Sequence, residues 1–195
     1  MNKIMITERI EQLGGIKSLS EETPVPLTVS EIEQFEGILN SLLPDDYKYF
    51  LSNYGKSSFV KEVKFHPYTN DAEYIHSAEI GLPNFKFYGS QVSYFYGLNT
   101  DNNNFNIINK FNIYANRLPK DFLPIADDGL GNQICLSLSK EKFNWIYWWD
   151  HENEWDEEDY LDDTGHEMSE EVKFQNVYLI AKSFTEFIEK LQIVE

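Results

Sequence analysis

Apolar side chains recur every three or four residues in three segments of the first 55 residues. This spacing places them on one face of an α-helix, so it predicts three short amphipathic helices. The predicted inward-facing residues are Ile6, Ile10 and Leu13 in the first segment, Ile32, Phe35 and Leu39 in the second, and Tyr47, Phe50, Leu51 and Tyr54 in the third.

Residues that favour helix ends bound these segments. The first apolar run stops at Gly14-Gly15, a common signal for the end of a helix. Thr28 and Glu31 have the spacing of a capping box, in which each side chain satisfies a backbone N–H at a helix start. These signals predict that the first helix ends near residue 13 and that the second begins near residue 29.

The third helix has the most complete boundary signals. Pro44 suits a first helical turn, and Asp45 and Asp46 suit the positive end of the helix dipole. Gly55 suits the C-terminal stop. We therefore expect a helix between these residues.

The pattern changes after residue 58. Aromatic and β-branched residues interrupted by Gly and Pro predict short strands from Phe59 to Leu98. Helical spacing returns between residues 103 and 119, where Phe105, Ile108 and either Phe111 or Asn112 would share one face.

Four further segments predict strands, at residues 122–126, 132–138, 143–149 and 176–181. The first two are joined by the sequence DDGLG, a turn that uses the freedom of glycine at positive φ. Ser183 and Glu186 have capping-box spacing before a closing helix. This order of elements predicts an α+β fold with a mainly antiparallel β-sheet, against which the N-terminal helices and a C-terminal helix pack.

An acidic segment follows the third of these strands. Twelve Asp or Glu residues lie between Asp150 and Glu171, and no Lys or Arg lies between Lys142 and Lys173. Because like charges repel, this composition favours a solvated loop.

Overall charge narrows the classes of partner. The chain of 195 residues has 33 acidic and 16 basic residues, for a net charge of −17. This sign opposes binding to nucleic acid or to an anionic membrane and favours a basic protein partner. The single cysteine, Cys135, excludes an intrachain disulfide, and the chain begins without a signal-peptide pattern, so we expect a cytoplasmic protein.

The acidic segment does not have the pattern of a metal or catalytic site. In an extended chain Asp150, Glu152 and Glu154 would point to one side and His151 to the other, so their ligand atoms would not converge. Paired catalytic carboxylates need environments that separate their pKa values, and a solvated run of acids offers none. We therefore expect no metal and no cofactor.

Other candidate catalytic residues have structural interpretations. Cys135 lies between Ile134 and Leu136, in the pattern of a buried strand rather than of a nucleophile. The remaining histidines are each interpreted as structural or surface residues: His66, His76 and His166. No motif in the sequence indicates an enzyme.

The tryptophans beside the acidic segment have two interpretations. Trp145 and Trp148 fit a buried strand. Trp149 and Trp155 lie nearer the acids, so either core packing or contact with a partner fits them. A groove for single-stranded nucleic acid would also use aromatic residues, but it must be basic.

Four stretches together resemble the SUKH superfamily, which includes bacterial toxin-immunity proteins and a fungal regulator of cell-wall synthesis. Residues 29–55 resemble its helical N-terminal pattern with a Phe-Glu step, a Leu-Pro and a closing Gly. Residues 117–139 resemble its Leu-Pro, strand, Gly-rich turn and strand, and residues 146–154 its aromatic strand that ends in Trp-Asp-His-Glu. Residues 177–191 resemble its closing strand and helix.

The resemblance implies one α+β domain over residues 1–195, with an N-terminal extension at 1–28 and an acidic insert at 153–171. It also implies a non-enzymatic immunity protein that binds and neutralises a cognate toxin domain, often a nuclease. The alternative is a regulatory scaffold that binds other proteins through its acidic surface.

Trp149 to Glu152 belong to the shared pattern, so we interpret them as features of the fold and assign partner specificity to the insert. The hypothesised partner-binding residues are Trp149, Asp150, Glu152, Glu154, Trp155, Asp156, Glu157, Glu158, Asp159, Tyr160, Asp162 and Asp163.

Overall fold

The computed structural model of the chain describes residues 2–19, 25–69, 87–100 and 102–194. The helices in these ranges are α1 (Asn2–Gln12), α2 (Val29–Leu39), α3 (Asp45–Tyr54), α4 (Ile107–Tyr114), α5 (Glu157–Thr164) and α6 (Phe184–Lys190). The strands are β1 (Ile16–Ser18), β2 (Ser57–Phe59), β3 (Val63–Phe65), β4 (Ser90–Gln91), β5 (Tyr94–Phe95), β6 (Phe122–Asp127), β7 (Gln133–Ser137), β8 (Ile146–Trp149), β9 (Val177–Ala181) and β10 (Gln192–Ile193).

Two antiparallel sheets organise the strands. The larger sheet has seven strands in the order β1-β2-β5-β6-β7-β8-β9, and each neighbouring pair is antiparallel. The smaller sheet has the order β10-β3-β4. This arrangement confirms the predicted α+β class with N-terminal and C-terminal helices.

The larger sheet is buried on both faces, and β8 shows this most clearly. Ile146 and Trp148 face the main core, whereas Tyr147 and Trp149 face a second, smaller cluster on the opposite side. Alternate residues of a strand point to opposite faces, so a strand without polar residues must be covered on both sides. The acidic segment follows directly from the end of this strand.

Helices α1, α2, α3 and α6 contribute buried residues to the main core, which confirms the first three predicted helices. Ile6, Ile10 and Leu13 of the N-terminal segment are buried there, and β1 is an edge strand of the larger sheet. The described part of the predicted N-terminal extension therefore packs into the same core as α2, α3 and α6.

The inward face of α4 differs from the prediction. Ile107 is fully buried, Ile108 and Phe111 are half-buried, and Asn112 is exposed. The Asn106 side chain caps the helix by accepting from the N–H groups of residues 108 and 109. The helix therefore begins after Phe105, which is not part of its inward face, whereas Ile108 and Phe111 pack against the main core as predicted.

Both predicted capping boxes mark helix starts, but one of them forms only in part. Thr28 and Glu31 make both reciprocal bonds of the box. Ser183 accepts from the N–H of Glu186, but the Glu186 carboxylate accepts from the N–H of Lys182 at 2.7 Å instead of from Ser183.

The predicted turn between β6 and β7 is present and uses two left-handed glycines. Gly129 has φ 89° and Gly131 has φ 96°. Side chains with a Cβ rarely adopt such angles, which is why the turn contains glycine at these positions.

Part of the sequence-based interpretation lies outside the described ranges, including His76 and the residues from 70 to 86. Among the described residues, no helix combines the length and the apolar character needed to cross a membrane.

Candidate functional site

The acidic segment from residue 150 to 171 is partly helical, so the prediction of a loop was wrong. His151–Asn153 form a 3-10 turn, and α5 follows it. The Asp156 side chain accepts from the N–H groups of Glu158 at 2.8 Å and Asp159 at 3.4 Å. Acids at the first turn complement the positive end of the helix dipole, so their clustering here favours a helix start.

The twelve hypothesised partner-binding residues separate by exposure. The exposed members are Glu152, Asp156, Glu157, Glu158, Asp159, Asp162 and Asp163. Glu154 and Trp155 are half-buried, whereas Trp149, Asp150 and Tyr160 are buried. We call the exposed members the acidic surface.

Trp149 is fully buried, which favours the packing interpretation, and its contact with a partner stays a prediction. Its ring meets Tyr114 edge-on with centroids 5.7 Å apart. The Arg117 guanidinium lies 5.4 Å from the Trp149 ring and 4.9 Å from the Tyr114 ring. The second core cluster therefore encloses this tryptophan.

Arg117 also holds the start of the acidic segment through Glu154. Its Nε donates to both carboxylate oxygens at 2.9 and 3.1 Å, and a terminal nitrogen donates to Oε2. These bonds raise the pKa of the Arg117 guanidinium. A bidentate pair fixes orientation as well as position, so Glu154 has a structural role beside any contact with a partner.

Asp150 is buried, and its side chain caps the 3-10 turn that follows it. Its carboxylate accepts from the N–H of Glu152 at 3.1 Å and from Asn153 Nδ2 at 2.7 Å. Its own backbone exchanges bonds with Asn176, whose Nδ2 donates to the Asp150 carbonyl at 2.6 Å. These donors favour a structural role for the Asp150 carboxylate, and its contact with a partner stays a prediction.

Tyr160 is the apolar anchor of α5. Its ring lies edge-on to Trp155 with centroids 5.8 Å apart, and His166 packs at 5.6 Å. The buried Tyr160 ring fixes the inner side of α5. The acids of this helix lie on its outer, exposed side. Burial favours a packing role for Tyr160, and its contact with a partner stays a prediction.

Lys173 connects α5 to the body of the protein. Its ammonium donates to the Asn116 carbonyl at 2.8 Å and lies 3.3 Å from Glu170 and 3.7 Å from Glu157. The sequence interpretation did not include Lys173 or Arg117. The available signal was their position in the sequence. Lys173 follows the acidic segment, and Arg117 directly precedes the Leu-Pro motif.

The Trp-Asp-His-Glu sequence at residues 149–152 contacts the β6–β7 turn through His151. His151 donates its backbone N–H to Asn132 Oδ1 at 3.0 Å, and its Nδ1 lies 2.9 Å from the same oxygen. The His151 Nε2 lies 3.1 Å from a Glu152 carboxylate oxygen. The imidazole thus contacts the buried Asn132 amide on one side and the exposed Glu152 carboxylate on the other.

Cys135 is fully buried in the second core cluster, and burial raises the pKa of its thiol well above the usual value. Because the thiolate is the reactive form, we expect no labelling by a thiol reagent in the folded protein and complete labelling in about 8 M urea. Labelling within minutes under native conditions would contradict the buried placement.

The acidic surface is suited to electrostatic attraction rather than to chemistry at one point. Among the described residues, no group of three or more His, Cys, Asp or Glu side chains is placed to hold a metal ion. Exposed carboxylates spread over α5 create a negative field that attracts a basic surface.

Comparisons with known proteins place most of this architecture in a family. The family model described as the SMI1 / KNR4 family (SUKH-1) matches residues 26–190. The chain is 28% identical over 165 residues to the SPbeta prophage-derived uncharacterized protein YokK of Bacillus subtilis (strain 168). That alignment covers 83% of this chain and 72% of the relative. The match to the family model runs from the residues before α2 to the end of α6 and includes the acidic segment.

Proposed function

Because the chain belongs to the SMI1 / KNR4 family (SUKH-1), we propose that it is an immunity protein that binds and neutralises a cognate polymorphic toxin domain in the cytoplasm. The family includes immunity proteins. In this proposal the toxin is a nuclease, and neutralisation is stoichiometric association without catalysis.

The observation that carries the proposal is the fixed acidic surface. Lys173 pairs with Glu157 of α5, the Arg117–Glu154 pair holds the residues before this helix, and Tyr160 of α5 is buried. A nuclease must present positive charge to its phosphate substrate, so an acidic surface is attracted to the region where that substrate binds. Occupying this region would exclude the nucleic acid.

Co-purification with the C-terminal domain of the protein encoded directly upstream of this chain tests the proposal. We expect a one-to-one complex and loss of the toxin's nuclease activity at equal concentrations. Absence of association at low salt, together with full toxin activity, would contradict the proposal. Association that leaves activity intact would favour the scaffold alternative.

Neutralising the first turn of α5 tests the role of charge. The variant combines Asp156→Asn, Glu157→Gln, Glu158→Gln and Asp159→Asn. We expect about a tenfold slower association rate with the toxin domain and a flatter dependence on salt, because exposed charges mainly accelerate encounter. Stopped-flow fluorescence at several ionic strengths measures both. Asparagine can keep the capping bond of residue 156, so the helix should form.

A matched control removes four exposed carboxylates elsewhere with the same change in net charge: Glu8→Gln, Glu11→Gln, Glu33→Gln and Glu189→Gln. We expect a smaller decrease in the association rate for this control. Salt largely screens charges that lie more than about 8 Å from the contact, so carboxylates far from the interface have little effect on the encounter. Equal rates for the two variants would place the interface away from α5.

A further inference from the structure

A cavity of about 560 Å³ opens beside the C-terminal ends of α2 and α4 and the start of β6. Small-molecule sites in proteins occupy about 300–1,000 Å³ and combine an apolar wall with a few polar groups. The apolar wall of this cavity contains Leu39, Phe111, Tyr114, Leu118, Phe122 and Leu138. We call it the α2–α4 cavity.

The margins of both core clusters form this wall. Leu39, Phe111 and Leu138 are half-buried and pack against the main core. Tyr114 is half-buried and packs against the second core cluster. One side of each residue is thus fixed by the core, while its remaining surface is open. The wall is therefore preformed, so little conformational entropy is lost when a ligand contacts it.

Three lysines and two acids also line the α2–α4 cavity: Lys120, Lys140, Lys173, Asp121 and Glu170. The Lys173 ammonium lies 3.3 Å from the Glu170 carboxylate, which also accepts from the backbone N–H of Lys120 at 3.1 Å. This pair neutralises itself and leaves two lysines against Asp121. The lining therefore has an excess of positive charge, although the whole chain has a net charge of −17.

The two remaining lysines lie at the same end of the β6–β7 hairpin. Lys120 precedes β6 and Lys140 follows β7, and the hairpin pairs Phe122 with Ser137 at this end. Both lysines are exposed, and within the described ranges neither ammonium makes an ion pair or a hydrogen bond. Their charges are therefore available to an anionic group at the cavity.

The helix ends beside the cavity do not reverse this preference. Helix C-termini carry partial negative charge on their last carbonyl groups, which would oppose an anion. Here the Lys173 ammonium donates to the Asn116 carbonyl at 2.8 Å, and the N–H groups of Arg117 and Leu118 donate to the Tyr114 carbonyl. At the end of α2, the N–H of Ser41 donates to the Glu36 carbonyl at 3.2 Å. These donors compensate the helix ends.

We propose that the α2–α4 cavity binds a small organic anion. Its apolar ring system or chain contacts the wall, and one carboxylate, phosphate or sulfonate group is held by Lys120 and Lys140. The wall supplies affinity by removing apolar surface from water, and the two lysines select the sign of the ligand charge. This binding activity is separate from association with a toxin.

The fluorescent anion 8-anilinonaphthalene-1-sulfonate is a suitable probe, because it joins an apolar ring system to one negative charge. We expect saturable binding at one site of the folded protein, weaker binding as salt concentration rises, and a higher melting temperature with the probe. Binding at many sites without saturation, or a lower melting temperature, would show that the probe binds partly unfolded chains and would overturn the proposal.

Charge removal tests the role of the two lysines. We expect the Lys120→Gln, Lys140→Gln double variant to bind the sulfonate probe about tenfold more weakly or worse. Its affinity for N-phenyl-1-naphthylamine, which has the same rings without the charge, should stay within about twofold. The matched control is Lys17→Gln with Lys61→Gln, two exposed lysines that do not line the cavity. Equal losses of sulfonate affinity in the two variants, or equal losses for both probes, contradict the proposal.

The position of the probe is measured by the backbone amide shifts of the ¹⁵N-labelled protein. We expect the largest changes within residues 111–122 and 138–140, which contain most of the lining. A cluster of changes on another surface, without changes in these ranges, would overturn the assignment of the site.

Competition tests the ligand class. We expect 1-naphthoate or decanoate to displace the sulfonate probe at concentrations at which inorganic phosphate does not, because phosphate lacks an apolar part. Displacement by neither carboxylate, or equal displacement by phosphate, excludes an amphipathic anion as the ligand. None of these measurements contains the toxin domain, so the immunity function stands or fails independently.

Discussion

Replacing Asp46 with alanine is expected to lower the free energy of unfolding by roughly 3–5 kcal/mol, because several buried donors would lose their acceptor. Asp46 is buried at the start of α3, but its carboxylate accepts mainly from another element. Oδ2 accepts from the N–H of Thr185 at 3.0 Å and from its hydroxyl at 2.8 Å. Asp46 therefore joins the N-terminal ends of α3 and α6.

Asn144 completes this connection. Its Nδ2 lies 3.1 Å from each Asp46 oxygen, and its Oδ1 accepts from the N–H of Phe184 at 3.1 Å. Removing the carboxylate leaves the buried Thr185 donors and the half-buried Asn144 amide without a charged acceptor. Total stabilities are about 5–15 kcal/mol, so this single change could remove a large fraction.

Asp45 provides a matched control in the same helical turn. Its side chain is 97% exposed and lies 4.0 Å from Lys48. Asp45→Ala removes the same charge from the helix start but strands no buried donor, so we expect a loss of about 0.5 kcal/mol. Urea denaturation of both variants measures the difference. Equal losses would show that Asp46 acts only through the helix dipole.

The contrast between these two residues shows what could be predicted from the sequence. Helix spacing and capping signals are local, so the positions of α1, α2 and α3 followed from short stretches of sequence. The same rules gave Asp45 and Asp46 equal roles at the helix start. The contact between Asp46 and Thr185 joins residues distant in the chain, and no local pattern contains it.

The prediction of a loop for the acidic segment was wrong for a related reason. Charge repulsion argued for a loop, but the Asp156 cap and the buried Tyr160 ring favour α5. The two basic contacts that hold the segment come from outside it, from Arg117 and Lys173. Composition therefore indicated an acidic surface, whereas its shape depended on tertiary contacts.

The exposure of Leu130 in the β6–β7 turn could not be predicted from the sequence either. The DDGLG pattern predicted the turn and its glycines, but not the orientation of Leu130. That orientation depends on Asp128, which contacts Ser90 and Trp148 from two other elements. The tryptophans next to the acidic segment resembled an interface in the sequence, although Trp149 is fully buried.

Replacing Trp149 with alanine is expected to cost about 3–5 kcal/mol of unfolding free energy, as for other buried large aromatic residues. The ring fills the second core cluster between Tyr114 and the strand neighbours of β8. Its loss also removes one of the two rings beside the Arg117 guanidinium, whose pairing with Glu154 fixes the start of the acidic segment. We therefore expect lower stability and a less ordered acidic surface.

Two further variants separate packing from partner contact. Trp149→Phe keeps part of the buried surface and should lose only about 1–2 kcal/mol, with dissociation from the toxin domain unchanged. Trp155→Ala removes a half-buried ring and should affect stability less than Trp149→Ala. Urea denaturation and surface plasmon resonance measure the two effects. Faster dissociation of the Trp149→Phe variant from the toxin domain, without any loss of stability, would contradict the assignment of Trp149 to the core. A fully enclosed ring can affect a partner only through the residues packed on it.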